Sequence, residues 1–182
     1  MVKNLGTPIE NMVEAPLKIT PERKREIMTA SPEDKKKHYF DDLKEGQSFD
    51  GGSVTVSREE IIDFARKYDP QPFHLDEEKA KPLYGGLIAS GWHTAALCSR
   101  MLVDSLLNKA AAMGSPGIDE MRFLKPVRPG DTLSGSFTIM ELKPSESKAE
   151  RGWMKLKGEM TNQDGEVTFS LVGRIIVARR PG

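Results

Sequence analysis

The amino-acid sequence predicts an α+β fold, a single domain in which an antiparallel sheet wraps around a long central helix. The stretch Trp92–Asn108 is apolar nearly all round with one narrow polar stripe, which is typical of a helix enclosed by protein. Farther along, apolar residues recur at every second position in four successive segments, as in antiparallel strands with one buried face. A fifth strand is predicted to end at Val54-Thr55-Val56. These elements bury their apolar faces most simply if the sheet curls around the helix.

The four later strands are defined by alternation and by the turns between them. The alternation is predicted to begin after Gly114-Ser115-Pro116-Gly117, and connections are predicted at residues 127–130 and 162–165. The alternating apolar residues are Met121 and Phe123; Leu133, Phe137 and Ile139; Met154, Leu156 and Met160; and Val167, Phe169, Leu171, Ile175 and Val177.

Two short helices are predicted ahead of the central one. Ser57 with Glu60 three residues later forms a capping-box signature, and the helix that follows is predicted to end at Asp69, because Pro70 disfavours helical geometry in the residue before it. Asp76 is predicted to cap a second helix that Pro82 terminates.

Length and composition predict one domain, residues 38–182, preceded by an N-terminal extension, residues 1–37, with a short helix from Pro21 to Thr29. The 27 basic and 27 acidic side chains leave no charge excess that would favour nucleic acid or an anionic membrane. No apolar run has the length of a membrane span, and the N-terminus lacks a signal-peptide core. The single cysteine, Cys98, fits a reducing compartment, so the predicted location is the cytoplasm.

An acid/base pair is predicted in the turn between the first two helices, where Asp69 and His74 lie close together. A carboxylate can orient an imidazole, raise its basicity or share a water molecule with it. Alternatively, Asp69 caps a helix and His74 hydrogen-bonds the turn. Gly91 stands directly before the central helix, whose free N–H groups suit a developing oxyanion, although a glycine near a helix start is also common.

Other candidates carry weaker signals. Ser99 is a polar residue in an apolar helix and needs a partner, which could be its own helix backbone. His93 is a second acid/base candidate or, in the alternative, a packed histidine. The histidines show no metal-ligand spacing, the glycines match no phosphate or dinucleotide loop, and Cys98 suits packing better than nucleophilic chemistry.

Three motifs resemble the MaoC-like dehydratases, or (R)-specific enoyl-CoA hydratases, which have the hotdog fold. The family's D-x-N-P-x-H corresponds to Asp69–His74, and its A-H-G-M corresponds to Ala89-Ser90-Gly91-Trp92. The signature F-x-x-P-V-x-P-G-D is complete at Phe123–Asp131. The resemblance extends over about four-fifths of the chain, from His38 to Arg180.

The resemblance implies reversible hydration of a trans-2-enoyl thioester in fatty acid metabolism, by a homodimer or higher homo-oligomer. It implies that Asp69 and His74 share the reacting water, that the Gly91 N–H holds the thioester oxygen, and that Ser99 supports the catalytic loop. The partner is an acyl-CoA thioester, and no cofactor is implied, since coenzyme A is part of the substrate.

Three departures from the family pattern are predicted to bear on substrate binding. Gln71 replaces an asparagine, Ser90 replaces a histidine, and Trp92 replaces a methionine. None of them alters the acid/base pair. A hotdog acyl-CoA thioesterase and a non-catalytic acyl-thioester binding domain are the alternative functions, and the intact pair favours the hydratase.

Overall fold

The computed structural model describes residues 37–181. The predicted N-terminal extension lies outside the described residues except for Lys37, as does the helix predicted from Pro21 to Thr29. Four helices and five strands are described, together with single 3-10 turns at Phe40–Asp42 and Leu107–Lys109. The elements are β1 (Ser48–Thr55), α1 (Arg58–Tyr68), α2 (Pro72–Leu75), α3 (Glu77–Tyr84), α4 (Gly91–Ser105), β2 (Ala112–Phe123), β3 (Thr132–Pro144), β4 (Arg151–Thr161) and β5 (Val167–Ala178).

The strands form one antiparallel sheet in the order β1-β3-β4-β5-β2, with α4 packed against β1, β3 and β4. At Gly135 an added Cβ would lie 2.7 Å from the Sδ of Met101, so the missing side chain lets α4 approach β3 closely. The alternating residues of the last three strands fill the core between sheet and helix, as Phe137, Met154 and Phe169 illustrate with no exposed surface. The predicted α+β architecture is confirmed.

The first of the four later strands begins earlier than predicted, because Gly114-Ser115-Pro116-Gly117, after which the alternation was expected to begin, already belong to β2. The pairing of β2 with β5 changes register between Ala112 and Gly114 and again between Gly114 and Gly117. An edge strand pairs on one side only, so it tolerates a proline without an N–H and bulges at glycines. Turn-forming residues here mark irregular pairing.

The central helix is shorter and less enclosed than predicted. It ends at Ser105, and the next residues form the 3-10 turn. Cys98, Met101 and Leu102 are buried against the sheet, whereas Ser99 and Arg100 are exposed. Trp92 and Ala96 are also exposed, so the described residues leave part of the apolar surface of α4 uncovered.

The short helices ahead of α4 begin as predicted. Ser57 and Glu60 form the predicted capping box of α1, and Asp76 accepts hydrogen bonds from the first N–H groups of α3. The predicted stop at Pro82 is wrong, since α3 continues to Tyr84 and ends at Gly85, whose φ of 74° is left-handed. Proline removes one hydrogen bond but does not itself reverse the chain, and glycine adopts the ending conformation without strain. Within residues 37–181 no helix is long and apolar enough to cross a membrane.

Candidate active site

Asp69 lies at the point where α1 ends. Its backbone N–H donates to the Ala65 carbonyl at 2.9 Å, which closes the last turn of the helix. Pro70 and Pro72 then direct the chain into α2, which carries His74. The helix end and the two prolines hold the carboxylate and the imidazole on a short path with little freedom.

The contacts of the His74 ring place a proton on one of its two nitrogens. Its Nδ1 lies 2.9 Å from the Ile88 carbonyl, and because a carbonyl only accepts, Nδ1 carries the proton. In the neutral form of the ring the lone pair is therefore on Nε2, which lies 3.5 Å from Oδ2 of Asp69. With only 6% of its side chain exposed, His74 is held by the Ile88 contact in one tautomer and orientation.

Two side chains donate to the Asp69 carboxylate. Ser90 Oγ donates to Oδ2 at 2.6 Å, and Gln71 Nε2 donates to Oδ1 at 2.9 Å. The Ser90 hydrogen bond is the largest cause that lowers the pKa of Asp69; Gln71 and His74 add to it, and burial opposes it. Asp69 therefore stays ionised at neutral pH and presents an acceptor toward His74.

Gly91 begins α4 beside this pair. Its N–H is in the first turn, where helix N–H groups have no intrahelical partner, and none of residues 37–181 provides an acceptor. A Cβ on Gly91 would lie 2.7 Å from the ring of Phe123, so the aromatic ring occupies the space that any side chain here would need. The N–H is consequently available to a ligand oxygen.

A cavity of about 450 Å³ connects these groups. Its polar groups come mainly from the turn after α1 and the start of α4, and most of its wall is apolar. Trp92 and Phe123 form part of that wall, in an edge-to-face arrangement with ring centres 6.3 Å apart. The residues that line the cavity are Asp69, Gln71, Phe73, His74, Tyr84, Ile88, Ala89, Gly91, Trp92, Thr94, Phe123, Leu124, Lys125, Pro126, Val127 and Thr168.

Comparison with known proteins identifies the family. The model of the MaoC like domain matches residues 42–160. The chain belongs to the MaoC-like dehydratase family. It is 34% identical over 109 residues to the (R)-specific enoyl-CoA hydratase of Rhodospirillum rubrum. The aligned region covers 59% of this chain and 73% of that protein.

Solved structures agree with this assignment. The MaoC-like dehydratase from Rhodospirillum rubrum superposes with a TM-score of 0.75 and 41% identity, covering 80% of this chain and 99% of that one. A double-hotdog protein from Mycobacterium tuberculosis, 20% identical, superposes with a TM-score of 0.68 over 80% of this chain and 45% of its own. The predicted hotdog fold is confirmed.

In this MaoC-like chain most of the predicted site residues meet. Asp69, Gln71, His74, Gly91 and Trp92 all line the one cavity, although the first and last of these are 23 positions apart. Their roles in chemistry stay predictions, but the geometry for them is present.

Ser90 and Ser99 do not lie where the sequence predicts. Ser90 has no exposed surface and lies behind Asp69, so it contacts the carboxylate and not a bound substrate. Ser99 is exposed on α4, two turns beyond Gly91, and its hydroxyl makes no hydrogen bond to any of residues 37–181. Nothing in the described part of the chain connects it to the catalytic loop.

Two features of the site were missed from the sequence. Phe123 was expected on a buried strand face, but it is 53% exposed and packs against Gly91 and Trp92. Its place at the head of the F-x-x-P signature was the available signal. The Ile88 carbonyl that fixes His74 is a backbone group, for which no residue type gives a signal.

His93 is a packed histidine that does not line the cavity. It is buried, and its ring stacks on Phe64 with centres 4.9 Å apart. Its Nδ1 has no hydrogen-bond partner among the described residues. Burial lowers the pKa of His93, while nearby Glu60 has the opposite, smaller effect.

Replacing His93 by glutamine is expected to weaken the loss of stability on acidification. The pKa of His93 in the folded protein is below its ordinary value of 6.5, so on acidification this histidine binds a proton first in the unfolded chain. Stability therefore falls as the pH drops below about 6.5. Thermal unfolding from about pH 7.5 to about pH 5 checks this. Equal pH slopes for the two proteins would contradict it.

Metal and thiol chemistry find little support in the described residues. Among residues 37–181 no three His, Cys, Asp or Glu side chains are grouped to hold a metal ion. Cys98 is fully buried, and burial raises the pKa of its thiol to about 12, which suppresses the nucleophilic thiolate. The predicted packing role of Cys98 is confirmed.

Proposed function

We propose that this MaoC-like protein is a hydro-lyase that adds water to a trans-2-enoyl-CoA thioester and removes it from the 3-hydroxyacyl product. The observation that carries the proposal is the pair of acceptors formed by Asp69 Oδ2 and His74 Nε2, 3.5 Å apart at the cavity wall. The 34% identity to a protein named (R)-specific enoyl-CoA hydratase supports the same chemistry.

The two acceptors suit a water molecule as reactant. Because Nδ1 of His74 donates to Ile88, its Nε2 accepts, and the ionised Asp69 accepts too. A water that donates one proton to each directs its oxygen lone pairs away from both, into the cavity. This orientation prepares the oxygen for attack on an electron-poor carbon.

The Gly91 N–H suits the other end of the reacting group. When the water oxygen bonds to C3, the electrons of the C2–C3 double bond move toward the thioester oxygen, which gains negative charge. A backbone N–H at a helix start stabilises such an oxygen, and one donor is typically worth ~3–4 kcal/mol of barrier. The Asp69–His74 pair takes one proton from the water and returns one to C2, so the proton count is unchanged.

The cavity wall favours an acyl chain over a polar substrate. Aromatic and aliphatic side chains make up most of it, with Phe73, Trp92 and Phe123 among them. The chemistry requires only the thioester and water, so we propose no further cofactor. Gln71 and Trp92, which depart from the family pattern, are the wall residues that we expect to influence which acyl group is accepted.

An absorbance assay tests the proposal. Adding the protein to crotonyl-CoA should give a steady loss of the enoyl-thioester absorbance without release of free thiol. Thiol release would favour the thioesterase alternative. No change with enoyl-CoAs of several chain lengths, together with unaltered ligand affinity in Asp69→Asn, would remove the hydratase and favour a binding domain.

We also propose that the chain self-associates. Within residues 37–181 the edge strand β2 has one unpaired side and exposes Met113 and Ile118, and α4 exposes Trp92 and Ala96. Open strand edges of this kind invite pairing with another chain. Sedimentation equilibrium is expected to give a dimer or a higher oligomer, and a monomer at micromolar concentration would contradict this.

A further inference from the structure

The buried hydroxyl of Ser90 bridges two parts of the site. It donates to Asp69 Oδ2 at 2.6 Å and accepts from the Trp92 N–H at 3.2 Å. An N–H only donates and an ionised carboxylate only accepts, so the single hydroxyl proton must go to Asp69. Ser90 therefore makes both hydrogen bonds at once, as the donor to Asp69 and as the acceptor from Trp92.

The backbone of Ser90 is held as firmly as its side chain. Its carbonyl accepts from the N–H groups of His93 at 3.0 Å and Thr94 at 3.2 Å, which makes Ser90 the residue that starts α4. The next residue is Gly91, which carries the proposed oxyanion donor. A single buried side chain thus connects the carboxylate after α1 to the N-terminus of α4.

We propose that Ser90 is a positioning residue that holds the Asp69 carboxylate at a fixed distance from the Gly91 N–H. The inference rests on the proposed hydration function and deepens it. In the proposed reaction Asp69 holds the water and Gly91 holds the thioester oxygen, so the distance between these two residues must stay constant. Misplacement of about 1 Å can lower the rate roughly a hundredfold. Gln71 holds the other carboxylate oxygen but lies on the same turn as Asp69 and does not reach α4.

The alternative is that Ser90 only caps a helix. A cap is worth about 0.5–2 kcal/mol when replaced by alanine and only a few tenths when replaced by glycine. The chain offers a matched control in Ser57, which caps α1 and does not line the cavity. Ser57→Ala removes a cap without touching Asp69, and Ser90→Gly removes the hydroxyl with little loss of capping.

The decisive measurement is the titration of Asp69 itself. Donation from Ser90 is the largest effect that lowers the pKa of Asp69, so in Ser90→Ala and Ser90→Gly its protonation midpoint moves to higher pH. Carbon-13 NMR of the aspartate carboxyls, with the Asp69 signal assigned from its absence in Asp69→Asn, reads this without substrate. None of the variants replaces another titratable side chain of the cavity wall; these side chains are His74, Tyr84 and Lys125.

Activity supplies the second readout. With crotonyl-CoA, kcat is expected to fall roughly 10- to 100-fold in both variants, the size of one lost hydrogen bond to a charged group, while KM changes little, because Ser90 does not reach the cavity. The acid limb of the pH profile moves to higher pH with the Asp69 midpoint. Ser90→Thr, which keeps the hydroxyl, restores both readouts toward wild type.

The outcomes separate this inference from the proposed function. An unmoved Asp69 midpoint and unmoved kcat in Ser90→Gly, with Ser90→Ala losing only the stability that Ser57→Ala loses, would show that Ser90 is a cap and overturn the inference. A wild-type protein that hydrates no enoyl-CoA refutes the hydratase instead, and the carboxyl titration still decides whether Ser90 holds Asp69.

Discussion

Asp69→Asn is expected to lower kcat/KM for crotonyl-CoA hydration by about 10²- to 10⁴-fold, the range for loss of a general base. The amide keeps the size of the carboxylate but replaces one acceptor oxygen by an NH₂ donor. Ser90 and Gln71 both donate to this side chain, so whichever of them meets the NH₂ group faces a second donor, and in either orientation the neutral amide cannot take a proton from the water. Initial rates measured by loss of enoyl absorbance check the result.

Asp63→Asn is the matched control for this variant. Asp63 lies on the exposed face of α1, where it pairs with Arg66, and it does not line the cavity. Surface pairs of this kind contribute little, so the substitution is expected to leave turnover unchanged and stability within about 0.5 kcal/mol. Turnover that survives in Asp69→Asn at the level of Asp63→Asn would exclude Asp69 from the mechanism.

His74→Ala is expected to lower turnover as strongly and also to destabilise the fold. The substitution removes the Nε2 acceptor and leaves the Ile88 carbonyl without its donor. A buried acceptor left unpaired costs about 1–3 kcal/mol, so the free energy of unfolding measured in urea should fall by that amount. The catalytic loss must persist at temperatures where the variant is fully folded.

His93→Gln is the matched comparison, because it also replaces a buried histidine. His93 lies one residue after Trp92 but outside the cavity, with its ring against Phe64. We expect turnover to survive in His93→Gln and not in His74→Ala. If the two variants lose activity equally, general disturbance of the α4 start explains both, and the role of His74 as an acceptor fails.

The elements of the fold could be predicted because their signals are local. The capping box at Ser57 and Glu60 starts α1 as expected, and the alternation in β3, β4 and β5 describes which side chains fill the core. The errors occur where a residue type has two structural uses. Pro82 was expected to end a helix and lies inside one, and Pro116 was expected ahead of the alternating strands and lies in an edge strand.

The candidate site could be predicted in its residue types and not in its contacts. Asp69 and His74 are five positions apart, so their proximity follows from the turn that contains them. The contacts of Asp69 with Ser90 and of Phe123 with Gly91 bridge 21 and 32 positions of the chain, and neither leaves a periodic signal.

The sequence by itself determined the α+β class, the order of the elements, the proximity of Asp69 and His74, and the glycine at the start of α4. Only the tertiary structure decided that Ser90 is buried behind Asp69, that Ser99 is exposed, and that His74 carries its proton on Nδ1. The physical reason is that burial and hydrogen-bond direction depend on which distant groups meet in space, whereas propensity, capping and periodicity act within a few residues along the chain.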